Sequence, residues 1–236
     1  MLYKLNLSKI LFLDIETVSQ YPTYQDMDEQ GRLLWNKKAH YLRASDDETP
    51  ESLYSRAAIY AEFGKIIVIS VGFFNGHEFR IKSFYGDDEK ILLTEFTQMV
   101  QRFYNLADDI LCAHNGKEFD FPYLSRRMLI NGVPLPYILQ IAGKKPWEVK
   151  HIDTMELWKF GDYKSYTSLE LLTYIFNIPT PKDDIDGSMV GKIYWQDHDL
   201  ERIKNYCQKD VVAIAQLLRR YLNEPLILPE DIVFIP

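Results

Sequence analysis

The chain reads as an α/β fold with a mixed central sheet, and three observations predict it. Apolar runs rich in β-branched residues stand at residues 10–13, 66–74 and 110–113, the pattern of buried strands. The second run leads into Asn75-Gly76 and an alternating stretch over 78–85, a hairpin signal. After that hairpin, strand-like and helix-like segments alternate along the chain, as in an α/β protein.

Each element follows from local chemistry. Residues 10–14, Ile-Leu-Phe-Leu-Asp, make a short strand that runs into an acid. Residues 20–55 turn polar and irregular, with Asp46-Asp47-Glu48-Thr49-Pro50 as the most loop-like part. Short helices are expected around Leu33-Leu34-Trp35 and over 53–60. With too few apolar residues for its own core, this stretch reads as an insertion in a single domain spanning 1–236. Asp87, Asp88 and Glu89 open a helix where acids suit the positive end of the dipole. Its apolar stripe is Ile91, Leu92, Phe96, Met99, Val100 and Phe103. Asp120 is expected to cap the next helix, with Pro122 just inside and Gly132 past its end. A strand at 150–153, a capping box from Asp153 to Glu156, a helix over 168–176 and a loop over 179–191 follow. A long helix over 200–222 is the last element expected.

Composition narrows the function classes. In 236 residues, 47% hydrophobic and 14% aromatic content supports a packed core and excludes a disordered chain. The apolar run at 9–13 is too short to cross a bilayer or to act as a secretory signal, so no membrane role is expected. Cys112 and Cys207 have no paired zinc-ligand spacing and read as buried small side chains in a reducing, cytoplasmic setting. A net charge of −7 argues against a general polyanion-coating protein. It leaves room for an enzyme that grips phosphate through divalent cations held by local carboxylates.

Acids gather beside apolar runs in three places. Asp14 and Glu16 are two apart on a strand and share a face, which suits Mg²⁺ or Mn²⁺; the alternative is a strand ending at Leu13 with both acids in a wet loop. Asp120 as a helix cap and Asn115 as a turn residue have ordinary structural explanations. Tyr206 and Asp210 are one helical turn apart and share a face, as a core aromatic and a partly exposed acid also do.

In this order, Asp14-x-Glu16, Asn115-x4-Asp120 and Tyr206-x3-Asp210 resemble the three motifs of the DEDD superfamily of 3'→5' exonucleases. The wording around them is similar to the proofreading exonuclease domain of family B DNA polymerases and its stand-alone predicted relatives. The matches are Phe12-Leu13-Asp14-Ile15-Glu16-Thr17, His114-Asn115 through Phe119-Asp120-Phe121-Pro122-Tyr123-Leu124, and Tyr206-Cys207-Gln208-Lys209-Asp210. Glu62-Phe63-Gly64-Lys65-Ile66-Ile67 and Asp184-Ile185-Asp186-Gly187-Ser188 match the stand-alone members. Tyr206, four before the last acid, places the chain with the tyrosine branch, since Asn205 stands where the other branch has histidine.

The resemblance implies a ribonuclease H-like fold and two divalent ions, Mg²⁺ or Mn²⁺, about 4 Å apart. It implies Asp14, Glu16 and Asp210 around the ion that activates the attacking water, and Asp14 bridging to a second ion with Asp120. Tyr206 would orient that water rather than act as the base, since a phenol titrates near ~10. Thr17 and Asn115 would position the 3'-terminal nucleotide and Phe119 would stack or wedge against a base. The expected substrate is the 3' end of single-stranded DNA; an exoribonuclease and a non-catalytic nucleic-acid-binding module are the rival readings. Lys117 and Glu118 are charged departures within the middle motif.

The chain ends soon after the last motif, so a stand-alone nuclease, monomeric by default, is expected rather than a polymerase. Lys144-Lys145-Pro146-Trp147 with Lys150 is a basic and aromatic surface stretch, and Arg126-Arg127 reads as an exposed helical pair. His114 and His151 read as core or supporting groups, while His40, His77 and His198 are unclustered. Trp35, Trp158 and Trp195 read as packing aromatics. Asp153 has its capping role, and the 183–189 loop borders the substrate groove by resemblance alone.

Overall fold

The strands β1 (Ile10–Ser19), β2 (Gly64–Asn75), β3 (Glu78–Tyr85), β4 (Ile110–Ala113), β5 (Ile152–Asp153) and β6 (Ile232–Ile235) form a six-stranded sheet. Their order is β5-β4-β1-β2-β3-β6 in the computed structural model, which describes residues 5–162, 166–179 and 185–236. β1 runs antiparallel to β2 and parallel to β4, so the sheet is mixed, as expected. β6 lies beyond every element expected from the sequence and pairs in parallel with β3, Phe79 opposite Ile232.

The helices are α1 (Glu29–Leu42), α2 (Glu89–Phe103), α3 (Asp120–Asn131), α4 (Thr154–Lys159), α5 (Leu169–Ile175), α6 (Val190–Lys192) and α7 (Leu200–Tyr221). A π-helical turn over Ile193–Asp197 joins α6 to the segment before α7. Odd positions of β1 (Leu11, Leu13, Ile15) pack with α2 and α3 through Leu93, Phe96, Phe121 and Leu124. Even positions turn to α7: Ile10 and Phe12 join Val211, Ile214 and Leu218, and Val18 joins Ile203 and Cys207. Asp14 and Glu16 occupy the same row between these two apolar ends, so α7 crosses the strand directly over them.

Three sequence expectations give way here. In α2 the buried arc is Leu92, Leu93, Phe96, Thr97 and Val100, while Ile91 and Phe103 point to solvent. Arg127 is buried: its Nε donates to Glu89 Oε1 at 2.8 Å and its Nη1 to the Ala61 carbonyl at 2.8 Å, with Gln20 and Asn131 completing the network. Glu89 also accepts from the Ile66 amide at 2.7 Å, so it serves an ion pair rather than the helix dipole. Asp88 is the residue that caps α2. Lastly, the 20–55 stretch does build a small core. Trp35, buried with its indole N–H on the Pro50 carbonyl at 2.7 Å, packs with Tyr54, Tyr60 and Phe63. The side chains are few, but aromatic volume compensates.

No helix among the described residues is long and apolar enough to cross a membrane. Arg127→Ala leaves Glu89 charged, buried and without its ion-pair partner, and is expected to cost about 3–5 kcal/mol. Arg126→Ala, at an exposed position, is expected to stay within about 0.5 kcal/mol. Urea unfolding of the two variants measures the contrast; equal small losses would contradict a structural role for the buried pair.

Candidate active site

Asp14 and Glu16 sit inside β1, which continues unbroken to Ser19, so the strand-end alternative does not hold. Asp14 pairs across the sheet with Ser70 and Glu16 with Val68, and a bulge follows between Glu16 and Thr17. Glu16 is 8% exposed. The charges that act on Asp14 are Glu16, Asp210 and Asp120, all acidic, and those that act on Glu16 are Asp210 and Asp120. Burial first and this mutual repulsion second raise both carboxyls well above the usual carboxylate range.

Asp120 arrives at the cluster by a different route from the one its sequence suggests. Phe119 holds the cap position of α3 and Asp120 is the first helical residue. The preceding turn already employs the first amides: Phe119 N–H donates to the Asn115 carbonyl and Phe121 N–H to the Gly116 carbonyl. The Asp120 carboxylate is thereby released from capping. It accepts from its own amide and from that of Ile15 on β1, which ties the helix start to the acidic strand. Burial pushes its carboxyl up to about 7, with Asp153 and Asp210 adding to the rise.

α7 supplies the third station. Tyr206 and Asp210, one turn apart, are hydrogen-bonded to each other, and burial together with Asp210, Glu16 and Asp14 drives the phenol well above its ordinary range. Between them in sequence, Cys207 is fully buried with its sulfur 3.2 Å from Asp14 Oδ2 and 3.4 Å from the Asp14 carbonyl. The sequence reading of Cys207 as a small apolar side chain missed this contact. Only the docking of α7 on β1 reveals it.

The residues expected at the substrate divide. Asn115 adopts a left-handed backbone (φ 62°), held by a 2.9 Å bond from its amide to Asp153 Oδ1, and its buried side-chain oxygen has no partner among the described residues. Gly116 is required beside it, since a Cβ there would lie 2.4 Å from Ala113 Cβ. Phe119 is half-buried and packs on Tyr123 at 5.2 Å between ring centres. Thr17 lies past the bulge, and its hydroxyl donates to the Ala58 carbonyl at 2.9 Å, which also receives the Tyr123 hydroxyl at 2.8 Å. Its donor is thus committed to the scaffold.

Asp153 does more than the capping its sequence suggests. It accepts from Met155 and Glu156 at the start of α4 and also from the Asn115 and Lys117 amides, so it sets the loop that carries Asn115. Lys117 turns away to Glu156 at 2.6 Å and Glu118 is exposed, which removes both charges of the middle motif from the carboxylates. His114 is fixed between the Thr154 hydroxyl and the Thr167 carbonyl, and His151 between the Leu111 amide and the Ile138 carbonyl. Both serve as supports. Trp147 is exposed with Lys145 over its ring, in a solvated loop. Asp183 and Asp184 of the 183–189 loop lie outside the described residues.

The donor set answers whether divalent ions fit. Asp14, Glu16, Asp120 and Asp210 repel one another across this site, with Asp153 adding to the field on Asp120, a costly arrangement for ionised groups unless cations join them, and carboxylate oxygens suit Mg²⁺ or Mn²⁺.

Comparison with known proteins identifies the family and the fold. Residues 59–222 match a family described as a predicted 3'-5' exonuclease related to the exonuclease domain of PolB. That span includes Asn115, Asp120, Tyr206 and Asp210, whereas Asp14 and Glu16 precede it and are joined to them by the fold. The DNA polymerase of Thermococcus sp. (strain 9oN-7) is 24% identical over 190 residues, covering 72% of this chain and 24% of the polymerase. That of Desulfurococcus sp. (strain Tok) is 23% identical over 189 residues, with the same coverage. The chain spans about a quarter of the length of these curated relatives. The family B DNA polymerase structure from the hyperthermophilic archaeon Pyrobaculum calidifontis superposes with a TM-score of 0.55 at 17% identity, covering 91% of this chain and 24% of the polymerase. The fold is ribonuclease H-like, as the motifs imply.

A carboxyl raised by folding holds a proton that the unfolded chain has already released. It therefore contributes stability at low pH that is lost as pH rises through the folded value, about 7 for Asp120. Metal-free protein should accordingly gain stability between about pH 8 and about pH 6 from this group. Asp120→Asn should flatten that gain and raise metal-free stability near pH 8 by on the order of 1–3 kcal/mol. Thermal melts of both proteins at the two pH values test this, and a variant that is less stable than the parent at both would refute it.

Proposed function

Because the chain belongs to the family of predicted 3'-5' exonucleases related to the exonuclease domain of PolB, we propose that it is a metal-dependent 3'→5' exonuclease acting on single-stranded DNA. The observation that carries this reading is the mutual repulsion of Asp14, Glu16, Asp120 and Asp210, from three distant segments, in one acidic cluster beside Tyr206, with Glu16 and Asp120 buried and Asp14 and Asp210 half-buried. Asp14, Glu16 and Asp210 would hold one divalent ion, and Asp14 with Asp120 a second. Bound there, such ions supply positive charge toward a phosphate and acidify water.

The chain's own groups do the positioning. Tyr206 keeps its proton, because burial and the carboxylates oppose a phenolate. It therefore serves to orient the attacking water by hydrogen bonding and is no general base. The unpartnered Asn115 oxygen is set to receive a donor from the terminal nucleotide, and Phe119 offers a ring face to its base. Thr17, whose hydroxyl proton is taken by Ala58, contributes to the substrate through its oxygen lone pairs or its backbone. A single-stranded end suits carboxylates this deeply set, since the last nucleotide has to leave any duplex to reach them. The family relationship and the acid set both favour turnover over a non-catalytic binding module.

The test is degradation of a 5'-labelled single-stranded DNA in Mg²⁺ or Mn²⁺, beside RNA of the same sequence. A ladder shortening from the 3' end, lost with EDTA and with Asp14→Ala/Glu16→Ala, is expected. Tyr206→Phe should retain the fold and lose roughly 10–100-fold in rate, the scale of one charge-assisted hydrogen bond. Faster loss of the RNA would transfer the assignment to an exoribonuclease. Folded protein that cleaves neither strand with either metal would overturn the enzymatic reading in favour of a binding module.

A further inference from the structure

Between α3 and β5 the chain carries a cationic and aromatic surface that the mechanism above does not use. Lys144, Lys145 and Lys150 are exposed around Trp147, whose side chain is 74% exposed. In a chain of net charge −7, residues 144–150 hold these three cations against one acid. That acid, Glu148, is engaged locally, since its carboxylate accepts from the Lys145 amide at 2.8 Å. Among the described residues none of the three ammonium groups stands in an ion pair. Lys145 Nζ lies instead 5.1 Å from the centre of the Trp147 ring. An indole this exposed adds little to the core, but with a cation on its face it makes a stacking surface for a base.

The position of this loop ties it to the site. Lys150 is three residues from Asp153, about 10 Å along an extended chain, and Asp153 holds the Asn115 and Lys117 amides. His151, next to Lys150, packs edge-on against Phe121 at 5.0 Å between ring centres. Burial, and after it the charges of Lys117 and Lys144, lowers the titration of that imidazole, so both ammonium groups stand near the turn over 115–121. Earlier in the same loop, Ile141 packs on the core that Phe119 also joins.

We propose that Lys144, Lys145, Trp147 and Lys150 form a platform for the single strand, a few nucleotides to the 5' side of the scissile bond. The inference rests on the reading of the acidic cluster as a 3'→5' nuclease. With the 3'-terminal nucleotide at Asn115 and Phe119, any strand that reaches beyond the cluster is its 5' part. Trp147 stacks on a base and the lysines meet the phosphates to either side of it. Both contacts are indifferent to sequence, as the trimming of arbitrary ends requires. In a duplex the bases are stacked on one another, so the platform selects unpaired strand.

Fluorescence anisotropy of 5'-labelled oligothymidines of graded length, in EDTA so that the strand stays intact, measures the platform directly. Affinity should rise with length until the strand reaches Trp147 and then level off. Trp147→Ala should weaken binding of the long oligomers roughly 5–100-fold and abolish the rise, while Trp147→Phe should keep it. The triple variant Lys144→Ala/Lys145→Ala/Lys150→Ala should lower the slope of log affinity against log salt by about 2. Tyr41→Ala, at an aromatic 85% exposed on α1, should bind as the parent does. An affinity independent of length, Trp147→Ala binding long oligomers as tightly as the parent, or an equal loss in Tyr41→Ala would overturn the proposal. Length-dependent binding through Trp147 without cleavage in either metal would keep the platform and reject the nuclease reading; cleavage with binding indifferent to Trp147 would do the reverse.

Discussion

The structure depends on the burial of like charges at the contact between one strand and one helix. Every even position of β1 from Ile10 to Val18 faces α7, and at the centre of that row the apolar side chains give way to Asp14 and Glu16. The interface has to be held by its ends. Ile10 and Phe12 close it against Val211, Ile214 and Leu218, and Val18 closes it against Ile203 and Cys207. Each such side chain contributes about 1.5–3 kcal/mol when buried, which offsets the repulsion between them. The acids are thus kept at close quarters by contacts that take no part in chemistry.

A fifth acid organises the approach. Asp153 spends its oxygens on four backbone amides, two in the Asn115 loop and two in α4. That arrangement joins β4 and β5 to the turn that begins α3, and so decides where Asp120 meets Ile15. The left-handed Asn115 and the close-packed Gly116 are consequences of the same tight path. Two acids of one residue type, both at the N-terminal ends of helices, thereby take opposite duties. Asp153 is saturated by amides, and Asp120 is left to face the cluster.

What could be read in advance follows the range of the interaction. Strand and helix existence came from periodicities within ten or so residues, and β1, β2, β3, α2, α3 and α7 all formed where these pointed. The spacing of Tyr206 and Asp210 already placed them on one face. Long-range partners were not legible. Arg127 looks like any surface arginine until Glu89, 38 positions earlier, is brought beside it. Cys207 looks like a small core residue until β1 passes under it. The Asp120 misreading had a local cause: a helix start with Pro122 inside suggests a side-chain cap, but the turn over 115–119 meets the amides by itself. A count of apolar residues understates the packing of the 20–55 stretch, because Trp35 with its aromatic neighbours fills a core that few residues build. The strand β6 carries a local signal too, Ile-Val-Phe-Ile over 232–235.

That last strand guards the sheet. It pairs with β3 along Phe79 to Lys82, and without it β3 would present an open row of amides and carbonyls flanked by apolar side chains. Exposed rows of that kind recruit strands from other molecules. β6 and β3 are separated by a long interval of sequence, so this border is covered only once residues 232–235 are in place beside it. The cover of that border is therefore a four-residue segment three strands away from the acidic cluster, about 14 Å across the sheet. Selection on that segment would preserve freedom from self-association, independently of any demand made by the chemistry.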